Sequence, residues 1–216
     1  PPHFVDGCPL PAAGLNLTAS ATAVDKSAPI SPLNSPYNCV GDGVTNDTVC
    51  MQAAIDASVG GTLYLGPHRY CIGSPGLVVG GAVAITGATP GYPWDNSRPN
   101  YGFTACSQNI NILTFNNLSS GSRLSDVFFD GSTAGVNVSG AAITADTPSF
   151  LKIDHVAIIG SCIGIDERLS NQDRISHVLV NTASGAGCGG IRIGAGSISS
   201  QLTDLRLDAV PVDTNG

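Results

Sequence analysis

The amino-acid sequence predicts an all-β protein, a solenoid of short stacked strands whose N-terminal end is closed by one short α-helix. Three observations carry this reading. Four segments share the pattern apolar-x-x-apolar-x-apolar: residues 124–129, 153–158, 175–180 and 202–207. Their starts are 29, 22 and 27 residues apart, so the strand motif is constant while the connections vary in length, as expected when the cross-section of a coil is held and its loops are free. A sandwich would also show many short strands, but would not repeat one motif at one phase four times. The second observation is a single helical segment ahead of all four strands. The third is a turn-rich composition, with 27 Gly and 14 Pro against only 12% charged residues.

Taken in order, residues 1–36 are rich in Pro, Ala and Ser without a period and read as an extended arm. Residues 37–216 form the β-domain. Its cap, 37–73, contains the run GDGVTNDTVCMQAAIDASVGGTLYLGPHRYCIG from Gly41 to Gly73. Asn46 and Asp47 are placed to cap a helix start through their side-chain oxygens. Met51, Ala54 and Ile55 share one helical face, and Gly60-Gly61 stops the helix. Leu63 and Leu65 then alternate as in a strand. Residues 88–106 read as an aromatic loop broken by Pro and Gly, and 107–210 as the stacked coils. The inward column is expected to hold Val127/Phe129, Val156/Ile158, Val178/Val180 and Leu205/Leu207. A second pattern follows three of the four strands: Ala141-Ala-Ile143, Ile163-Gly-Ile165 and Ile191-Arg-Ile193.

The Gly41–Gly73 run resembles the opening of the pectate-lyase-like right-handed β-helix superfamily. There a GDGVTDDT-type turn, an AIQAAIDA-type helix and a GGTVYLPPGTYLI-type strand pair close the end of the solenoid. The likeness covers about thirty residues, with Asn46 in place of an acid and Gly66-Pro67-His68-Arg69-Tyr70 at the PPGTY turn. It implies a right-handed, single-stranded parallel β-helix with an N-terminal capping helix. It also implies carbohydrate as the usual partner, since the superfamily holds polysaccharide lyases, glycoside hydrolases, epimerases and tailspike depolymerases. The paired-aspartate and His-Gly signatures of polygalacturonases, the arginine motif of pectate lyases and the DPHD motif of alginate epimerases are absent. The cap builds the fold and says nothing of the chemistry.

Several function classes are excluded on bulk grounds. A net charge of −7, with nine basic residues scattered along the chain, argues against nucleic acid. No run is long enough to span a membrane. No P-loop or GxGxxG lies between a strand and a helix, and no cofactor is expected. The chain begins at Pro1, which reads as a processed or trimmed product. Seven cysteines without zinc-site spacing read as disulfides of an extracellular protein, or else as buried thiols. Cys162 and Cys188 precede equivalent strands of neighbouring coils and are expected to pair.

Three groups are candidate sites. Asp166 and Glu167, in IDERLSNQDR, could form a catalytic lip of a glycoside hydrolase or polysaccharide lyase, or a solvated charge-mixed turn. Tyr92, Trp94 and Tyr101, with Asp95 and Arg98, could stack on and hydrogen-bond a sugar, or could fill a packing gap. Asp126, His155, His177 and Asp204 precede the inward Val/Leu column and should form a ladder at a bend, with no metal expected. The outward residues Phe128, Ala157, Ile159 and Leu179 are apolar, so a loop, the arm or another subunit should cover them. The reading is an extracellular or virion-borne polysaccharide-binding or polysaccharide-degrading protein. Its rival is a non-catalytic, homo-oligomeric subunit of a spike, fibre or surface filament.

Overall fold

The computed structural model describes residues 28–88, 101–132, 139–182, 187–197 and 199–208. Among them the protein is mostly β, and every strand pair is parallel. The elements are β1 (Asp42–Asn46), α1 (Thr48–Ala57), β2 (Thr62–Gly66), β3 (Arg69–Ile72), β4 (Leu77–Val79), β5 (Ala84–Gly87), β6 (Gly102–Ala105) and β7 (Leu113–Phe115). A 3-10 turn, Asn117–Ser119, leads to β8 (Arg123–Asp130), β9 (Ala141–Asp146), β10 (Lys152–Ile159), β11 (Ile163–Arg168), β12 (Arg174–Asn181), β13 (Gly189–Ile193) and β14 (Gln201–Asp208). One sheet runs β1-β3-β6-β8-β10-β12-β14, with β2 and β5 attached beside β8; the other runs β13-β11-β9-β7-β4. From β7 onward the chain alternates strictly between the two sheets.

The four motif segments pair in the register their common pattern implies. Val156 lies opposite Val127 and Val178, and Val178 opposite Leu205. Successive strand side chains point to opposite faces, so this parity delivers one inward column. Across the first sheet it reads Tyr70, Phe103, Phe129, Ile158, Val180 and Leu207. All but Leu207 are buried; Leu207 is 47% exposed on the last described rung. The rings of Tyr70, Phe103 and Phe129 follow one another with centroids 6.4 and 5.4 Å apart.

The four bend residues share one backbone conformation. Asp126, His155, His177 and Asp204 have φ of 59°, 50°, 50° and 51°, and strand pairing skips each of them. This left-handed region favours Asp, Asn and His among non-glycine residues, which is why polar residues recur at this phase. Two glycines frame the first bend. β5 pairs the first half of β8 and β6 its second half. A β-carbon at Gly87 or Gly102 would lie 2.1 Å from the carbonyl oxygen of Asp126 or Phe128. Only glycine fits such a backbone approach.

The cap differs from expectation in one respect. Met51, Ala54 and Ile55 are buried as the helical face predicts. Asp47 occupies the N-cap position but does not cap with its side chain. Its carboxylate accepts the N–H groups of Val40 and Gly41 at 2.7 and 3.1 Å and so closes the preceding turn. Asn46 takes the free donor instead, accepting the Thr48 N–H at 3.0 Å. Ahead of the cap, Ile30 pairs with Leu63, placing part of the 28–36 segment against β2.

Two further sequence expectations need correction. The third copy of the second pattern is out of phase by two: Ile165 lies opposite Ile191, and Ile193 lies opposite Glu167. Residues 102–105 of the supposed aromatic loop form β6, paired between β3 and β8. The apolar outward column is covered within the chain itself. Phe128, Ala157 and Leu179 are buried as a separate cluster, with Ile159 packed against it. Three disulfides join Cys39–Cys50, Cys71–Cys106 and Cys162–Cys188. No helix among the described residues is long and apolar enough to cross a membrane.

Candidate functional site

A three-residue unit recurs just before each long strand of the first sheet: Gly121-Ser122-Arg123, Phe150-Leu151-Lys152, Gln172-Asp173-Arg174 and Ser199-Ser200-Gln201. Its first residue turns the chain, with φ of 81°, 61°, 58° and 60°. Its second points inward: Ser122, Leu151 and Asp173 are buried. Its third opens the strand on the outer face, with Lys152 opposite both Arg123 and Arg174, and Arg174 opposite Gln201. The first and third positions of all four units line one open groove of about 510 Å³.

The groove has a cationic floor and an aromatic edge. Arg123, Lys152 and Arg174 stand side by side at the ~4.8 Å strand spacing. None of the three has an ion-pair partner among the described residues. Phe150 is 56% exposed on the groove in a left-handed conformation that bulky residues rarely adopt. The amides of Gln172 and Gln201 add donors and acceptors.

The paired acids named from the sequence sit elsewhere and apart. Asp166 and Glu167 lie within β11, which runs on to Arg168, and not in a loop. They are 1% and 0% exposed. Adjacent strand residues face opposite ways, so their carboxylates do not meet. Asp166 is gripped by two guanidiniums. Arg192 donates from Nε and a terminal nitrogen, each at 2.7 Å, and Arg168 Nε donates at 2.6 Å. Burial alone would raise the Asp166 carboxyl, but the hydrogen bonds from Arg192 and then Arg168 hold it below the ordinary carboxylate range. Asp166 is therefore kept ionised and is poorly suited to donate a proton.

Glu167 points the other way, beside Asp173. Ser200 Oγ donates to Glu167 Oε1, while Glu167 Oε2 and Asp173 Oδ2 have no hydrogen-bond partner among the described residues. Burial, and secondarily the charge of Glu167, pushes the Asp173 carboxyl up to about 6. A glycosidase needs its two carboxylates flanking an open cleft. Here both lie beneath the groove-lining residues with almost no exposure.

The bend ladder is a hydrogen-bonded brace. The rings of His155 and His177 stack with centroids 4.5 Å apart and planes at 12°. Both Nδ1 atoms contact the Asp154 carboxylate, at 2.9 and 2.7 Å, and Ser176 Oγ donates to it at 2.8 Å. Asp154, His155 and His177 bring potential metal ligands within 4.8 Å of one another. The stacked rings already spend both Nδ1 atoms on that carboxylate. Burial opposes ionisation of Asp154, but the bonds from His177, Ser176 and His155 hold its carboxyl down at about 2.

Of the residues named for sugar contact, Tyr92, Trp94, Asp95 and Arg98 lie outside the described residues. Tyr101 is half-buried ahead of β6, and its carbonyl accepts the Phe128 N–H at 2.9 Å. The groove itself was not anticipated. Its signal was present in the residue that precedes each repeated motif: Arg123, Lys152, Arg174 and Gln201.

No protein-family model matches the chain, and no curated protein matches it. Among solved structures, the chain is similar to a proposed glycosyl hydrolase from Parabacteroides merdae ATCC 43184, known from a crystal structure at 1.95 Å. The two share 13% sequence identity with a TM-score of 0.60, over 84% of this chain and 96% of the other. At that identity the likeness concerns the fold alone.

Proposed function

We propose that this chain is a right-handed parallel β-helix that binds polysaccharide outside the cell, with the groove between Gly121 and Gln201 as its binding face. The observation that carries this reading is the pair of aligned columns lining the groove. They present cations, amides and an exposed ring along four successive rungs. A long open strip of this kind suits an extended chain, and the face of Phe150 suits the C–H side of a sugar ring. Support for the solenoid comes from the strict alternation between two parallel sheets. Support for carbohydrate comes from the fold shared with a proposed glycosyl hydrolase. Three disulfides fit an oxidising, extracellular compartment.

Binding is favoured over cleavage because Asp166, Glu167 and Asp173 are all shielded from a bound chain. A catalytic part for Asp166 and Glu167 requires their carboxylates to be opened to substrate. The loop carrying Tyr92, Trp94, Asp95, Arg98 and Tyr101 is assigned a second sugar contact in this proposal. The rival reading of a spike or filament subunit loses one support, since the outward apolar column is already buried within the chain.

Retardation on gels containing immobilised polysaccharides, with parallel assays for new reducing ends and unsaturated products, tests the reading. The wild-type chain should be retarded, and Phe150→Ala should bind about fivefold more weakly, the loss of one aromatic contact. If Phe150→Ala binds normally while Trp94→Ala does not, the face is the loop and not the groove. No retardation on any polysaccharide rejects the proposal.

A further inference from the structure

We propose that the groove takes an anionic polysaccharide, one bearing carboxylates or sulfates along its length, laid across the strands so that successive negative groups meet Arg123, Lys152 and Arg174. This rests on the polysaccharide-binding reading above and narrows it to a substrate class. Like charges placed directly opposite on neighbouring strands repel. Two such contacts occur in succession here, Arg123 against Lys152 and Lys152 against Arg174. Three other described cations are neutralised. Arg69 is paired with Asp130 at 2.6 Å, and Arg168 and Arg192 are both paired with Asp166. The groove cations alone are stacked without such a partner among the described residues, in a chain whose net charge is −7. Three cations aligned on one open strip of an acidic protein, none of them in an ion pair among the described residues, favour an anion there against the global charge.

The spacing and the lining select a polymer over a small ion. The three cations repeat at the ~4.8 Å strand separation, comparable to the length of one pyranose unit in an extended chain. Phe150 and the amides of Gln172 and Gln201 offer stacking and hydroxyl recognition that a bare phosphate does not use. The negative surface outside the groove opposes a duplex nucleic acid, whose charge extends well beyond a strip of this width.

The test uses the full chain in titrations against alginate as the carboxylated polymer and chondroitin sulfate as the sulfated one. Neutral dextran and linear β-glucan of matched length, and DNA of matched charge, complete the set. At least one of the acidic glycans should bind, the neutral glycans should bind far more weakly, and the affinity should fall steeply from low to high salt as screening sets in. Arg123→Gln, Lys152→Gln and Arg174→Gln should each weaken binding about threefold, and the triple variant about thirtyfold, the range of solvent-exposed ion pairs. The triple variant should fold with an unchanged or raised melting temperature, because it removes repulsion and no described partner. Which acidic polymer binds tells a carboxylate from a sulfate ligand. Equal, salt-independent binding of neutral and acidic glycans overturns the anionic assignment and leaves the polysaccharide reading standing. Absence of binding to every glycan overturns both. DNA binding as tight as glycan binding overturns the glycan assignment.

Discussion

Asp173→Asn removes a charge that the fold buries. In the folded chain Asp173 Oδ1 accepts the Leu151 N–H at 2.9 Å, while among the described residues neither Oδ2 nor Oε2 of the neighbouring Glu167 meets a hydrogen-bond partner within normal geometry. Burial first, and then the charge of Glu167, raises the Asp173 carboxyl from 3.8 to about 6. Below pH ~4 both folded and unfolded chains hold the proton, and nothing is lost. As pH rises from ~4 to ~6, the unfolded chain releases the proton and the folded chain keeps it, so stability falls. Above ~6 the folded carboxyl also ionises, and the full penalty persists at neutral and alkaline pH. At about 1.4 kcal/mol per pH unit the displacement is worth about 3 kcal/mol. Burying the asparagine amide in its place offsets part of this and leaves about 1–2 kcal/mol. Asparagine keeps the acceptor for Leu151 and removes the buried charge. The variant should therefore be about 1–2 kcal/mol more stable than the parent near pH 8 and nearly equal to it near pH 4. For a chain of this size that is about 3–6 °C in melting temperature near pH 8. Urea unfolding followed by circular dichroism at both pH values, with disulfides kept oxidised, gives the difference as a shift in midpoint at constant slope. A variant less stable than the parent near pH 8, or one whose advantage is the same at both pH values, refutes the reasoning.

Two other perturbations separate parts of the structure. Cys162→Ser opens a bridge between residues 26 apart in sequence, and the lost loop constraint should cost about 3 kcal/mol in urea unfolding; a midpoint equal to the parent's under oxidising conditions would show that the bridge does not constrain the chain. The hydrogen bond that the His177 ring donates to Asp154 raises His177 above its ordinary 6.5, so Asp154→Asn should lower the titration midpoint of the His177 ring followed by NMR, and an unmoved midpoint would dissociate the ladder from that carboxylate.

What could be read from the sequence follows from which constraints act locally. The cap was legible because helix periodicity and a Gly-Gly stop are local properties, and Met51, Ala54 and Ile55 are buried together. The inward column and the bend were legible because one residue type is required at one phase: apolar where strands stack, and Asp or His where φ is positive. The partner of a strand is not local, and there the reading slipped. Ile191-Arg-Ile193 matches Ile163-Gly-Ile165 as a string, yet the ladder sets Ile191 against Ile165 and Ile193 against Glu167. Asp166 and Glu167 looked like a pair because they are adjacent in sequence, and a strand sends adjacent side chains to opposite faces. The groove shows the same limit from the other side. Arg123, Lys152 and Arg174 are 29 and 22 residues apart and register only as scattered charge in an acidic chain. A repeat turns such separation into contact, because residues at one phase of successive rungs become neighbours whatever the length of the loop between them. Net charge therefore bounds the long-range field of the protein but cannot speak for a single column of its repeat. A net charge of −7 speaks for the whole chain and not for the groove, which is why matched-charge DNA belongs among its probes.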